Sequence, residues 1–106
     1  MTFANIGILG VKSGHRDEVI EILIRPNSEL KAIGCLSYEV GINSDSINSI
    51  FIAELWESPE AHKASLSLLS VQEAIREAMP FLSGEMSGYK FSIVGSPLPA
   101  QTSDEI

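Results

Sequence analysis

Cysteine is almost missing from this chain. Cys35 is the only one, which excludes an internal disulfide and any thiolate metal cluster. Basic residues are also few: seven Lys and Arg stand against 14 Asp and Glu, a formal charge of −7. That balance argues against nucleic acid, whose phosphates require a basic face, and equally against an anionic membrane surface. No apolar run approaches the length of a membrane span. Residues 1–10 lack the basic region and cleavage site of a signal peptide, so the expectation is a cytoplasmic protein. Gly7, Gly10 and Gly14 are not in dinucleotide spacing, and no motif for flavin, nicotinamide or phosphate is present, so no cofactor is expected. The two histidines, His15 and His62, have no ligand spacing that links them, so no metal is expected either. What is there is globular. With 44% apolar against 20% charged residues, 106 residues make one domain with a real core, and a neutral organic ligand suits it.

The stretch Ser49–Leu66 organises the chain, because it reads as a strand running straight into a helix. Alternation places Ile50, Ile52, Glu54 and Trp56 on one face and Phe51, Ala53 and Leu55 on the other. Ser58 has the character of an N-cap, Pro59 fits the first helical position, and Glu60 suits the positive end of the helix dipole. The joint brings the only Trp, a carboxylate and one of the two histidines close together.

The other elements follow in order. Phe3–Val11 alternates as a strand, with Ala4, Ile6 and Ile8 on one side and Asn5, Gly7, Leu9 and Val11 on the other. A helix opens at His15–Glu18, carries Val19, Ile22 and Leu23 inward, and stops at Pro26. A short helical turn over Ser28–Ile33 ends at Gly34. Cys35–Ile42 is a second strand, with Leu36, Tyr38, Val40 and Ile42 opposite Cys35, Ser37 and Glu39. Asn43–Ser46 is a hairpin loop, so the Ser49–Glu57 strand should return antiparallel. The second helical region should be broken. Ser70 and Glu73 have capping-box spacing, which starts a new helix at Val71 with Val71, Ala74, Ile75, Ala78 and Met79 buried. Gly88–Val94 is the fourth strand, and residues 96–106 form a tail without periodicity, outside the domain of residues 1–95.

The order β-α-β-β-α-β predicts an α+β, ferredoxin-like fold: a four-stranded antiparallel sheet with helices on one face only. Both faces of the third strand are apolar, so one face needs cover from outside the monomer. A homodimer that closes two sheets face to face, a homodimeric α+β barrel, is the simplest answer.

Several segments resemble one family. Gly34–Val40, Glu54–Ser58 and Glu60-Ala61-His62, with Val11–Gly14, Ala64-Ser65-Leu66, Val71 and Met79-Pro80, are similar to the antibiotic biosynthesis monooxygenase (ABM) family of small dimeric α+β barrels. The resemblance spans residues 3–94. It implies one of several activities: cofactor-independent oxygenation of phenols or quinols with O2, haem degradation, or action on small signalling molecules. It also implies that Trp56 lines the substrate cavity and that His62 matches a helix histidine of one branch. Two departures narrow this. Quinone-forming members can carry an amide four residues before the Trp, where this chain has Ile52. The haem-degrading branch places its iron-binding His about ten residues beyond the Trp, where this chain reads Ser65-Leu66-Ser67, so haem is disfavoured.

The function expected is a cofactor-independent monooxygenase of a small aromatic or quinol-like compound. His62 is the general-base candidate, because an imidazole exchanges protons near neutral pH. Its other reading is a half-buried histidine beside a helix start. Trp56 either stacks on a substrate ring and directs its indole N–H into the pocket, or seals the core. Asn5, beside Gly7, either stabilises a substrate oxyanion or is a plain edge-strand residue. Ser65 and Leu66 share a helix face with His62 and are candidate substrate contacts. Glu54 shares a face with Trp56. It is either a substrate contact or the partner of Arg25, Arg76 or Lys90. Tyr38 offers a hydroxyl to the substrate, or packs in the core or dimer, and Cys35 reads as a small buried hydrophobe. Two other classes stay open: a non-oxidative enzyme such as an isomerase of a small signalling molecule, and a non-catalytic ligand-binding module.

Overall fold

The computed structural model describes residues 1–99, so most of the tail expected over residues 96–106 lies outside the described residues. Strand β1 (Phe3–Val11) leads to helices α1 (Arg16–Leu23) and α2 (Ser28–Ala32), then to strands β2 (Cys35–Gly41) and β3 (Ser49–Trp56). Helices α3 (Pro59–Ser65) and α4 (Leu69–Ala78) follow, then a 3-10 turn (Met79–Phe81) and strand β4 (Leu82–Ser92). The sheet has the order β2-β3-β1-β4, with every neighbouring pair antiparallel. This is the ferredoxin-like α+β arrangement. Asn5 therefore sits on an inner strand, not on an edge. Among the described residues no helix is long and apolar enough to cross a membrane.

The helices cover one face of the sheet. Val11, Ile50, Val19, Ile22 and Ala78 meet there as the buried core, with Val19 and Ile50 fully enclosed. The α1 stripe thus packs as its periodicity predicts. Gly34 closes α2 at φ +111°, a conformation that favours glycine, and a Cβ there would press on Ala61 and Glu57 at 3.1 Å.

Four sequence expectations need correction. First, α4 starts at Leu69 with Leu68 as its N-cap, and no side chain caps it. Ser70 is not the cap, because its hydroxyl accepts a 3.1 Å bond from Asn27, which is itself the N-cap of α2. Second, the buried strip of α4 is narrower than expected: Ile75 and Met79 are exposed, and Ala78 is the residue that reaches the core. Third, β4 begins at Leu82 rather than Gly88. Leu82 and Met86 pair with Val11 and Leu9 at the free edge of β1, and Ser83, Gly84 and Glu85 lie in the irregular stretch between those pairs. Fourth, the β2–β3 register shifts between Cys35 and Ser37. Cys35 pairs with Trp56, and Tyr38 pairs with Glu54. The extra residue, Leu36, breaks the alternation, so Cys35 shares the helix-covered face with Tyr38.

The opposite face of the sheet is open. Ile6, Ile8, Tyr89 and Phe91 are exposed on it. With Phe51 and Ala53, several of them line a hollow of about 550 Å³.

Candidate functional site

The cluster of candidate residues lies on the other, helix-covered face, at the joint of β3 and α3. Three strands bring Tyr38, Glu54 and Asn5 into one row, because Tyr38 pairs with Glu54 and Glu54 pairs with Asn5. Lys90 of β4 pairs with Asn5 on the far side and is exposed. Above the row stands α3. Ser58 caps it by accepting the Ala61 N–H at 3.1 Å, and Pro59 occupies its first turn. The cap and the proline set where α3 leaves the sheet, and this places His62 over Asn5 and Glu54.

Glu54 is the hub. Its Oε2 accepts from Asn5 Nδ2 at 2.7 Å, and its Oε1 accepts from Trp56 Nε1 at 3.1 Å. His62 Nε2 lies 3.4 Å from Asn5 Nδ2 and 3.9 Å from Glu54 Oε1. The side chains of His62 and Glu54 are only 13% and 11% exposed, so the pair is nearly enclosed but not sealed. The His62 ring sits edge-on to Trp56 with centroids 5.5 Å apart, and tilted against Phe3 at 5.6 Å. Glu54 thus has neutral donors and a histidine as neighbours. Arg25, the first of the cations considered for it, pairs with Glu77 instead.

Burial pushes the Tyr38 hydroxyl up to about 12, with the nearby Glu54 and Cys35 adding to the effect. Tyr38 therefore keeps its proton at neutral pH and stays a hydrogen-bond donor. Cys35 is likewise raised, first by burial and then by Glu54, so it is no ready nucleophile.

Asn5, Glu54, Trp56 and His62 thus come together, with Tyr38 beside them. Ser65 is buried, and its hydroxyl donates to the His62 carbonyl at 2.6 Å, which ties down the turn that carries the imidazole. Leu66 caps the end of α3 and is half exposed. The Trp56 N–H is directed to Glu54 and the indole is fully buried at 1% exposure, so the side chain seals this end of the core. Sequence reasoning missed Phe3, although it lies two residues before Asn5 on the same face of β1. Lys90 of β4, considered as a partner for Glu54, lies across from Asn5 and makes no ion pair with Glu54 among the described residues.

Comparison with known proteins agrees with this architecture. The family model for antibiotic biosynthesis monooxygenase matches residues 2–77. A Chloroflexus aurantiacus protein whose crystal structure carries the same family name is 39% identical, with 91% of this chain and 96% of that chain covered and a TM-score of 0.78. Proteins named for that family from Nitrosomonas europaea (10% identity, 88% and 90% covered, TM-score 0.79) and Caulobacter crescentus (18%, 89% and 91%, 0.75) share the fold. No functionally curated protein matches the chain. On the family match and the Chloroflexus likeness, this chain belongs to the antibiotic biosynthesis monooxygenase family.

Proposed function

We propose that the protein is a cofactor-independent monooxygenase of a small aromatic or quinol-like compound, working as a homodimer with O2 as co-substrate. The observation that carries this reading is the setting of His62, between the rings of Trp56 and Phe3 with Asn5 and Glu54 within 4 Å of Nε2. In this reading a phenolic substrate reaches the partly exposed His62 ring, which Trp56 and Phe3 hold from behind, and gives its proton to His62 Nε2. The imidazolium that forms then lies beside the Glu54 carboxylate. The phenolate passes an electron to O2, a ring C–O bond forms, and loss of water leaves a quinone. One oxygen atom enters the ring. The other leaves as water with the two hydrogens the substrate gives up, so the substrate is the only reductant.

Asn5 and Tyr38 would bind substrate oxygens, Ser65 would hold the His62 turn, and Leu66 would line the entry. The exposed apolar residues of the open face, Ile6, Ile8, Tyr89 and Phe91, support closure by a second copy. The test is oxygen uptake by the purified protein with a panel of hydroquinones and polyphenols. Uptake above autoxidation, lost on replacing Trp56 or His62, supports the reading. Uptake equal to background across the panel would sink it in favour of a non-oxidative enzyme or a binding module.

A further inference from the structure

We propose that the open face of the sheet takes a second copy of this chain about a two-fold axis parallel to the strands, and that Glu39 accepts a hydrogen bond from the partner's Tyr89. The inference rests on the homodimer reading above and goes beyond it by naming the axis and the groups that meet. Glu39, Ala53, Ile6 and Tyr89 form one row across the sheet, because Glu39 pairs with Ala53, Ala53 with Ile6 and Ile6 with Tyr89. The row runs from outer strand β2 to outer strand β4 and lines the hollow of about 550 Å³. Glu39 is the only charged residue in that lining, and Tyr89, 79% exposed, holds its phenol at the opposite end. Among the described residues neither side chain has a hydrogen-bond or ion-pair partner. The strands offer the face no cation either. Of the seven Lys and Arg, only Lys90 lies in a strand, and it shares the helix-covered face with Asn5.

A carboxylate on a face that becomes buried needs a donor. Two directions of the two-fold axis would cover this face, and they differ in what they bring to Glu39. An axis along the strands, between β3 and β1, leaves every position along the strands unchanged and exchanges the two edges. It sets β2 over the partner subunit's β4, and within the row it sets Glu39 over the partner's Tyr89. An axis across the strands sets each edge over itself, so β2 meets β2 and Glu39 gains no phenol. Sheets packed face to face lie about 10 Å apart, a gap that a glutamate and a tyrosine reaching toward each other span. The phenol donates and the carboxylate accepts, so the pair forms without a cation. Acceptor and donor stand on the two outer strands, on either side of the sheet's midline. This self-complementarity is what a second copy requires, and it forms the bond twice per dimer.

Cross-linking reads the axis. Within one copy Glu39 and Tyr89 are three strand spacings apart, about 14 Å, too far for a short bridge between thiols. In a Cys35→Ser background, the double variant Glu39→Cys, Tyr89→Cys treated with dibromobimane should therefore run as a covalent dimer on a denaturing gel. Each single variant should run as a monomer. A covalent dimer from Glu39→Cys alone would put the axis across the strands and overturn the proposal while the homodimer reading stands. A double variant that sediments as a dimer but does not cross-link would do the same. A wild-type chain that sediments as a monomer would overturn both. If the double variant does not fold or assemble, a mutant cycle on self-association decides. Tyr89→Phe should weaken the dimer at least about tenfold, and in a Glu39→Leu background the same change should cost less than about twofold. Equal weakening in both backgrounds, or none in either, would refute the pairing.

Discussion

Asn5 and Glu54 face each other across β1 and β3, and the 2.7 Å bond from amide to carboxylate joins the two inner strands beneath α3. Trp56 completes the arrangement from two residues further along β3. A nearly enclosed carboxylate is thereby satisfied by two neutral donors, the condition that makes its burial tolerable without a bonded cation.

Removing that carboxylate should be costly. Glu54→Leu leaves the Asn5 amide and the Trp56 N–H without an acceptor, and stability should fall by about 1–3 kcal/mol. Denaturant unfolding followed by Trp fluorescence measures it. An unchanged midpoint would mean that water replaces both bonds at no loss.

His62 can be tested apart from the fold. His62→Ala should lower substrate-dependent oxygen uptake by about 10²–10⁴-fold, the usual contribution of a general base, while light scattering finds the same assembly as the wild-type protein. Undiminished uptake would remove His62 from the mechanism.

Tyr38 gives a pH signature. Its folded-state value, about 12, lies above the ordinary value of 10, so the folded state holds the proton more tightly than the unfolded chain. The resulting stability is fully present below pH 10 and is lost as pH rises through about 12, an effect of about 3 kcal/mol at most. Thermal unfolding across that window should show a steeper decline for the wild-type protein than for Tyr38→Phe. Parallel declines would refute the assignment.

The α3 cap links stability to the site. Ser58→Ala frees the Ala61 N–H and should cost about 1 kcal/mol. Because the same turn carries His62, KM for any substrate should rise as well. A variant with wild-type melting and wild-type KM would show that Pro59 alone sets the helix start.

Two paired glycines should respond in opposite ways. Gly88 has φ +149°, and a Cβ there would collide with the Ile6 carbonyl oxygen, so Gly88→Ala should cost about 2–4 kcal/mol. Gly7→Ala meets nothing closer than 3.6 Å and should fold normally while it weakens ligand binding beside Asn5. Melting curves of both variants, with fluorescence titration of the second, check the contrast.

Local pattern determined much of this protein. Two-residue alternation assigned the faces of β1 and β3 separately, so Glu54 and Trp56 were legible as neighbours of one face, whereas their meeting with Asn5 depends on the pairing of β1 with β3. Ser58-Pro59 marked the start of α3, and Gly34 marked the end of α2, because caps and turns depend on a few adjacent residues. What depended on distant chain was not legible. The bulge that carries Cys35 onto the face of Tyr38 needs β3 as its template, and the early start of β4 needs the free edge of β1. The choice of Asn27 over Glu73 as the partner of Ser70 needs α2 nearby. Above all, the sequence placed an asparagine, a carboxylate, an indole and an imidazole within reach of one another, but only the tertiary structure decided which donor meets which acceptor. Hydrogen-bond direction is fixed by distances of a few tenths of an ångström between strands and helix, and no periodicity carries that information.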